Sequence, residues 1–409
     1  MPSVKTILAD LGYDLPQRTY SLNRLDKGGS HATKTHLLKV ELNTIGSQKT
    51  GRPEKSSVVL KIFFTASSVV SPDVNVEHWR NELTTDNDAL IYERKIYQQV
   101  SGIPELSDNI IRFVAYEELD LPFLSLYQER NSLLALWQDL FTPEVGFGET
   151  LNKKLTAPEL YKLNITVTDY TKGLPLRNFL GSNLHYIDED LIPILFQIIW
   201  GIQVLQKNHI QHNDMHQGNV YIVEHPVSTL NREYTTNDGQ LFILPKTAPN
   251  VLFFDWDFAN TPFMPGPKAT ADWACYKYGI CGILNERRDI YRSLFEFVSN
   301  SLKTPVGPKV KQFLQKVLNA PPGKQKLDYV TGLDGRKNKG YPCNVDPGDP
   351  TRCDPYLPDE PKQIMDSTEL LREDIFKIYK KKQDNPLNLQ MADYVRGPVT
   401  RSKVKTTLI

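Results

Sequence analysis

The chain has 409 residues, 40% of them apolar and 23% charged, the proportions of a soluble globular protein with a sizeable core. Lys plus Arg and Asp plus Glu balance at 48 each, so net charge gives no ground for nucleic-acid or membrane-surface binding. The opening MPSVKTILADLGYDL lacks the basic-then-apolar plan of a signal peptide, no apolar run is long enough to span a membrane, and four cysteines make no disulfide framework, so a soluble, intracellular protein is expected.

Strands and turns are predicted from Tyr20 to Phe64. There LNRLDKGGSHATKTHLLKVEL sets a glycine turn between two apolar segments, and the polar NTIGSQKTGRPEKSS leads into VVLKIFF, β-branched and aromatic with Lys61 in its middle. DNDALIYERKIYQQV opens on Asp and Asn cap residues and carries Leu90, Ile91, Ile96, Tyr97 and Val100 on a helical stripe. IIRFVAYEEL is a further predicted strand. In residues 121–160, SLLALWQDLF has the pattern of a helix inserted ahead of the strand LNITVTDY.

From residue 171 onward helical patterns dominate, and Leu195, Ile198, Ile199, Ile202 and Leu205 mark one buried face. The polar cluster HNDMHQGN follows, then VYIV, a polar loop, and NVLFFDWDFA, which reads as buried strand. RRDIYRSLFEFV, VKQFLQKVL and TELLREDIFKIYKKK are predicted helices. The Pro/Gly/Asp-rich stretch 321–361 is a predicted surface loop, and the tail beyond Tyr394 is basic. Strands first and helices later predict an α+β architecture. Residues 1–170 form a sheet-rich part with an insert near 121–160, 171–320 a helical part, and 321–409 a loop-rich extension with a last helix.

Three groups of residues carry chemistry. Lys61, inside an apolar strand, needs an edge position that lets its ammonium reach solvent, or an anionic partner, because a bare buried charge is expensive. Glu93, between Tyr92 and Ile96 on the predicted helix, is placed where turning inward would make it that partner. Asp214 and Asn219 stand five residues apart in HNDMHQGN, the spacing of a catalytic base and an amide that holds Mg²⁺ in phosphoryl transfer. Asp255 follows four apolar residues in VLFFDWDFA and supplies a metal carboxylate, with Asp257 two residues on. A zinc site from His212 and His216 is disfavoured: the two would share a face on a helix, and Gly218 with the β-branched run behind it indicates a loop. Gly28, Gly29 and Ser30 form a turn whose backbone amides can cover phosphates.

These residues, in this order, resemble the eukaryotic protein-kinase-like superfamily over residues 20–300, and in detail its divergent members from large DNA viruses and microbial eukaryotes. HNDMHQGN is similar to the family's His-x-Asp-x-x-x-x-Asn loop, with VLKIFF, YERKIY and FFDWDF ordered around it. The resemblance implies a two-lobed kinase fold, ATP and Mg²⁺ as cofactors, and a protein Ser/Thr hydroxyl as phosphoacceptor. It places Thr168 as gatekeeper, Asp169, Tyr170 and Thr171 against the adenine, Lys61 on the α- and β-phosphates, and His212 and Asp289 as braces of the catalytic loop.

The departures matter. His216 stands where protein kinases carry a lysine and is expected to take over that lysine's catalytic role, and DWD replaces Asp-Phe-Gly; both are traits of aminoglycoside and choline phosphotransferases, so a small-molecule kinase is the alternative, with a non-catalytic scaffold behind it. Ala-Pro-Glu is missing after DWD, and TPFMPGPKATADWACYKYGICGILNERRD stands in its place. Cys275, Cys281, Cys343 and Cys353 are spaced too loosely for a zinc finger and are expected to be free thiols.

Overall fold

The computed structural model describes residues 19–24, 35–43, 55–66, 85–120, 161–181, 188–223, 230–264, 307–317 and 366–381, with 289–290, 292–294 and 297 as short pieces. The Gly28–Gly29–Ser30 turn, the 121–160 insert, the four cysteines and the basic tail lie outside the described residues. The architecture is mixed α+β with small antiparallel sheets.

The first sheet uses the predicted N-terminal strands β1 (Thr19–Arg24), β2 (Thr35–Asn43) and β3 (Lys55–Ala66), then β4 (Phe113–Asp120) and β5 (Tyr161–Asp169). Their order is β1-β2-β3-β5-β4, with every pairing antiparallel. β3 is therefore an interior strand. Val58, Leu60 and Ile62 alternate into the core, and Lys61 points to the opposite face, as the two-residue period of a strand requires.

Between β3 and β4 runs α1 (Thr85–Ser101). Its buried side is Tyr92, Ile96, Tyr97 and Val100, with Ile91 only half-buried. Ile96, Tyr97 and Val100 are buried as expected, and the buried side widens to take in Tyr92 and Glu93.

The core of the second half is α3 (Asp188–Lys207), reached through the short β6 (Leu174–Pro175) and α2 (Leu176–Gly181). The sequence predicts one buried face; the structure buries every residue from Leu191 to Leu205. A helix apolar all round is covered all round. Fully burying each Leu or Ile contributes about 1.5–3 kcal/mol. β7 (Val220–Val223) and β10 (Asn250–Phe253) join β6 in a three-stranded sheet, and Phe253 ends it at 0% exposure.

The predicted polar loop between β7 and β10 is instead in part a hairpin, β8 (Arg232–Thr235) and β9 (Leu241–Leu244). Its signal is Asn237-Asp238-Gly239 between alternating segments: Gly239 takes φ 80°, which a turn of this kind demands. Beyond it, α4 (Pro308–Val317) docks on α3, and the buried Asp188 accepts the amides of Lys309 and Val310, both at 3.1 Å, capping α4 from the neighbouring helix.

The last predicted helix is broken. α5 (Ser367–Leu371) starts on a capping box made by Asp366 and Glu369, and Glu373 then turns extended before a 3₁₀ segment, Asp374–Tyr379. The break lets Leu370, Leu371 and Phe376 all be buried, Phe376 against Phe196 and Phe313. Lys316 holds Glu373 at the bend. No helix among the described residues is long and apolar enough to cross a membrane.

Candidate active site

Lys61 sits at the centre of the first sheet, in register with Leu37 and Thr166. An interior strand offers no edge from which to reach solvent, so the charge is met inside. Lys61 Nζ lies 2.5 Å from Glu93 Oε2 and 3.8 Å from Asp255 Oδ1. Burial pulls the Lys61 pKa down, but Glu93, then Asp255 and Asp257, more than reverse this and hold the ammonium above the ordinary lysine range. Burial lifts the Glu93 carboxyl above its usual range, with Lys61 opposing.

Asp255 follows directly on Phe254 at the end of β10. Its φ of 67° is left-handed, a conformation in which Asp is among the tolerated residues, and it turns the carboxylate towards Lys61. Asp257 is placed differently. Burial first, then the charges of Asp255 and Glu93, push its carboxyl well above the usual range, and its Oδ1 has no hydrogen-bond partner. Between the two, Trp256 is 0% exposed, 4.6 Å from the His212 ring and edge-on to Tyr97 at 6.2 Å. Trp256 thus anchors the acidic segment to both α1 and the polar loop, a role its sequence position alone did not reveal.

The loop His212–Asn219 is fixed by its own polar atoms. The His212 and Asn213 amides donate to the two oxygens of Asp289, at 2.7 and 2.8 Å. His212 Nε2 lies 3.0 Å from the Phe254 carbonyl, and Asn213 Nδ2 donates to the Phe258 carbonyl at 2.9 Å. Gln211 and Asn260 exchange backbone hydrogen bonds on one side, and the Phe254 amide donates to the Asn219 carbonyl on the other. The loop and the DWD segment are therefore one hydrogen-bonded unit. Asn213 takes φ 66° at the bend.

Within that unit, Asn219 Nδ2 donates to the Asp214 carbonyl at 3.1 Å and to Asp214 Oδ2 at 3.3 Å. The amide nitrogen faces Asp214, so the Asn219 oxygen is the atom left for a cation. His216 Nε2 is 3.4 Å from the same Asp214 Oδ2. Arg177, at the start of α2, donates its amide to the Gln217 carbonyl, and its guanidinium lies beside Gly218. Nothing in the sequence marked Arg177, because α2 meets the loop only in three dimensions.

Lys61, Glu93, Asp255 and Asp257 thus converge, and Asp214, His216 and Asn219 stand in the adjoining loop braced by His212 and Asp289. The segment expected to face the adenine is partly engaged elsewhere. The Asp169 amide donates to the Arg112 carbonyl and the Tyr170 amide to that of Ser57, while the Asp169 carboxylate is gripped by Arg112 at 2.7 and 3.1 Å. Of the three amides, that leaves Thr171's.

Among the described residues no group of three or more His, Cys, Asp or Glu side chains is arranged to hold a metal ion by itself. The donor set present, the Asn219 oxygen with the carboxylates of Asp255 and Asp257, suits a hard cation that takes further oxygens from a bound phosphate and water, as Mg²⁺ does. No protein-family model matches the chain, and no curated protein matches it.

Proposed function

We propose that the chain is an ATP-dependent phosphotransferase with a two-lobed protein-kinase-like fold, acting as a serine/threonine protein kinase. The observation that carries the reading is the convergence of Lys61, Glu93 and Asp255 next to a loop that holds Asp214 and Asn219 in one hydrogen-bonded unit. Three carboxylates, from Glu93, Asp255 and Asp257, act on one ammonium there, and Asp214 lies near enough to Asp257 to add its own negative charge. Such an excess of negative charge suits a site whose working state includes cations.

In this reading Lys61, held by Glu93, binds the α- and β-phosphates, and the Gly28–Gly29–Ser30 turn covers them. Asn219 and Asp255 would hold Mg²⁺, which when bound offsets phosphate charge. Asp214 orients the acceptor hydroxyl. The acceptor oxygen bonds to the γ-phosphorus, the bond from that phosphorus to the bridging oxygen breaks with its electron pair leaving on ADP, and the hydroxyl proton passes to Asp214. A small-molecule acceptor is the second reading, favoured by His216 and by the second carboxylate, Asp257, which is retained where protein kinases carry glycine.

The test offers γ-labelled ATP with the protein itself, casein and a panel of small alcohols including amino alcohols. Labelled protein that disappears in Asp214→Asn supports the protein kinase; label on an amino alcohol alone supports the second reading. ATP binding without transfer to any acceptor would instead indicate a non-catalytic scaffold.

A further inference from the structure

His216 stands where the resemblance expects a lysine, and its surroundings suit a different task. Gly218 N–H donates to His216 Nδ1 at 2.8 Å. A ring nitrogen that accepts a hydrogen bond carries no proton, so the neutral imidazole has its proton on Nε2, the nitrogen 3.4 Å from Asp214 Oδ2.

The seat of the ring depends on Gly218. A Cβ at that position would stand 2.6 Å from His216 Cε1 and 2.9 Å from Nδ1, closer than non-bonded atoms approach. The backbone wraps the same ring: the His216 amide donates to the Asp214 carbonyl at 2.7 Å, and its carbonyl accepts from the Asn219 amide at 2.9 Å. Asn219 Nδ2 and His216 Nε2 both address Oδ2 of Asp214. Oδ1 takes neither contact.

We infer that His216 is a positioning residue: its Nε2–H, in the tautomer selected by the Gly218 amide, pins Oδ2 of Asp214 so that Oδ1 receives the proton of the acceptor hydroxyl. This deepens the phosphotransferase reading and rests on it for its catalytic consequence. Through the transfer His216 neither gains nor loses a proton. A lysine at 216 could not serve, because an ammonium has no lone pair for the Gly218 amide.

The tautomer is read first, by long-range ¹H–¹⁵N NMR of the full chain labelled in histidine, at about pH 8, where an ordinary imidazole is neutral. The His216 signals are assigned by their loss in His216→Gln. The expected result is a single Nε2–H tautomer; an Nδ1–H ring overturns the inference whatever the enzyme does, and needs no turnover to be seen.

Activity gives the second readout. His216→Gln places an amide N–H at the same bond separation as Nε2 and is expected to stay within about tenfold of wild-type kcat. His216→Ala and His216→Lys should each lose about a hundredfold in kcat, the effect of a misplaced reacting group, with KM for ATP unchanged. His216→Lys at wild-type kcat would overturn the positioning role. Should no acceptor turn over at all, the phosphotransferase reading fails while the spectrum still decides the tautomer.

Discussion

Lys61 and Glu93, 32 residues apart in the chain, meet at 2.5 Å across the gap between β3 and α1, with Asp255 3.8 Å from the same ammonium. The two partners are not equally replaceable. Lys61→Met leaves Glu93 buried with no cation and adds its repulsion to that of Asp255, so a loss of about 3–5 kcal/mol is expected. Glu93→Gln leaves Lys61 with Asp255 and Asp257 and should cost less than half as much. Urea unfolding of both variants checks the order; equal losses would show that the pair is isolated from the DWD carboxylates. The raised Lys61 pKa keeps the ammonium's contribution complete below the ordinary lysine pKa, but the Glu93 carboxyl is also raised by burial, so the cost of Glu93→Gln should shrink and that of Lys61→Met should grow as pH rises through the folded Glu93 value.

Asp255 and Asp257 separate by a different experiment. Asp255→Ala is expected to abolish Mg²⁺-dependent ATP binding, measured by calorimetry, because it removes the carboxylate proposed to hold the cation, 3.8 Å from the Lys61 ammonium. Asp257→Asn should do something else to the free protein: raise its melting temperature by a few degrees, on the order of 1 kcal/mol, by removing a carboxylate crowded by Asp255 and Glu93. The sign follows from the raised pKa. Wild-type Asp257 stabilises below the unfolded carboxylate pKa and loses that contribution as pH rises through its folded value, so the gain from Asn should vanish in acid and grow towards neutrality. A variant less stable than wild type at neutral pH would show that Asp257 has a partner cation.

The polar half of the site was legible in the sequence because its chemistry is local. Asp214 and Asn219 lie within one loop, Asp255 follows an apolar strand, and Lys61 stands out as a charge in an apolar run. What escaped was set by contacts between distant segments. The burial of Tyr92 and Glu93 beside the expected stripe on α1 goes with the Lys61 contact of Glu93, which has no sequence signature on the helix. The partners of the Asp169 and Tyr170 amides, the Arg112 and Ser57 carbonyls, come from distant segments that a strand end does not announce. The β8–β9 hairpin does have a local signal, Asn237-Asp238-Gly239, set inside an otherwise polar stretch.

A buried polar hub ties the hairpin to α3. Gln197, fully buried, accepts at Oε1 from Asn109, Arg232, Tyr234 and the Val251 amide, each at 3.1–3.2 Å, and donates to the Pro193 and Pro249 carbonyls. Gln197→Leu has nearly the right volume and none of the chemistry. Leaving the Tyr234 hydroxyl and the Val251 amide without their acceptor should cost about 2–4 kcal/mol in chemical unfolding. A loss below about 1 kcal/mol would mean that water replaces the amide.

Glycine 201 links the fold to the site most directly. It lies in the middle of α3, where Gly→Ala ordinarily stabilises a helix by about 1 kcal/mol. Here a Cβ would stand 2.2 Å from Phe253 Cε2 and 2.6 Å from Cζ, and Phe253 has no exposed side to retreat to. Overpacking of this kind costs about 1–3 kcal/mol and exceeds the propensity gain. The displacement has a direction. Phe253 donates its amide to the Asn109 carbonyl and accepts the Ile111 amide, and the next residues are Phe254, bonded to Asn219, and Asp255. Gly201→Ala is therefore expected to weaken nucleotide binding as well as stability, although residue 201 touches no proposed ligand. Gly239→Ala is the control: φ 80° makes it unfavourable by a similar ~1 kcal/mol, but its Cβ meets nothing within 4 Å, so it should lower the melting temperature and leave nucleotide affinity unchanged. If both variants lose stability and neither loses affinity, Phe253 does not transmit strain to Asp255.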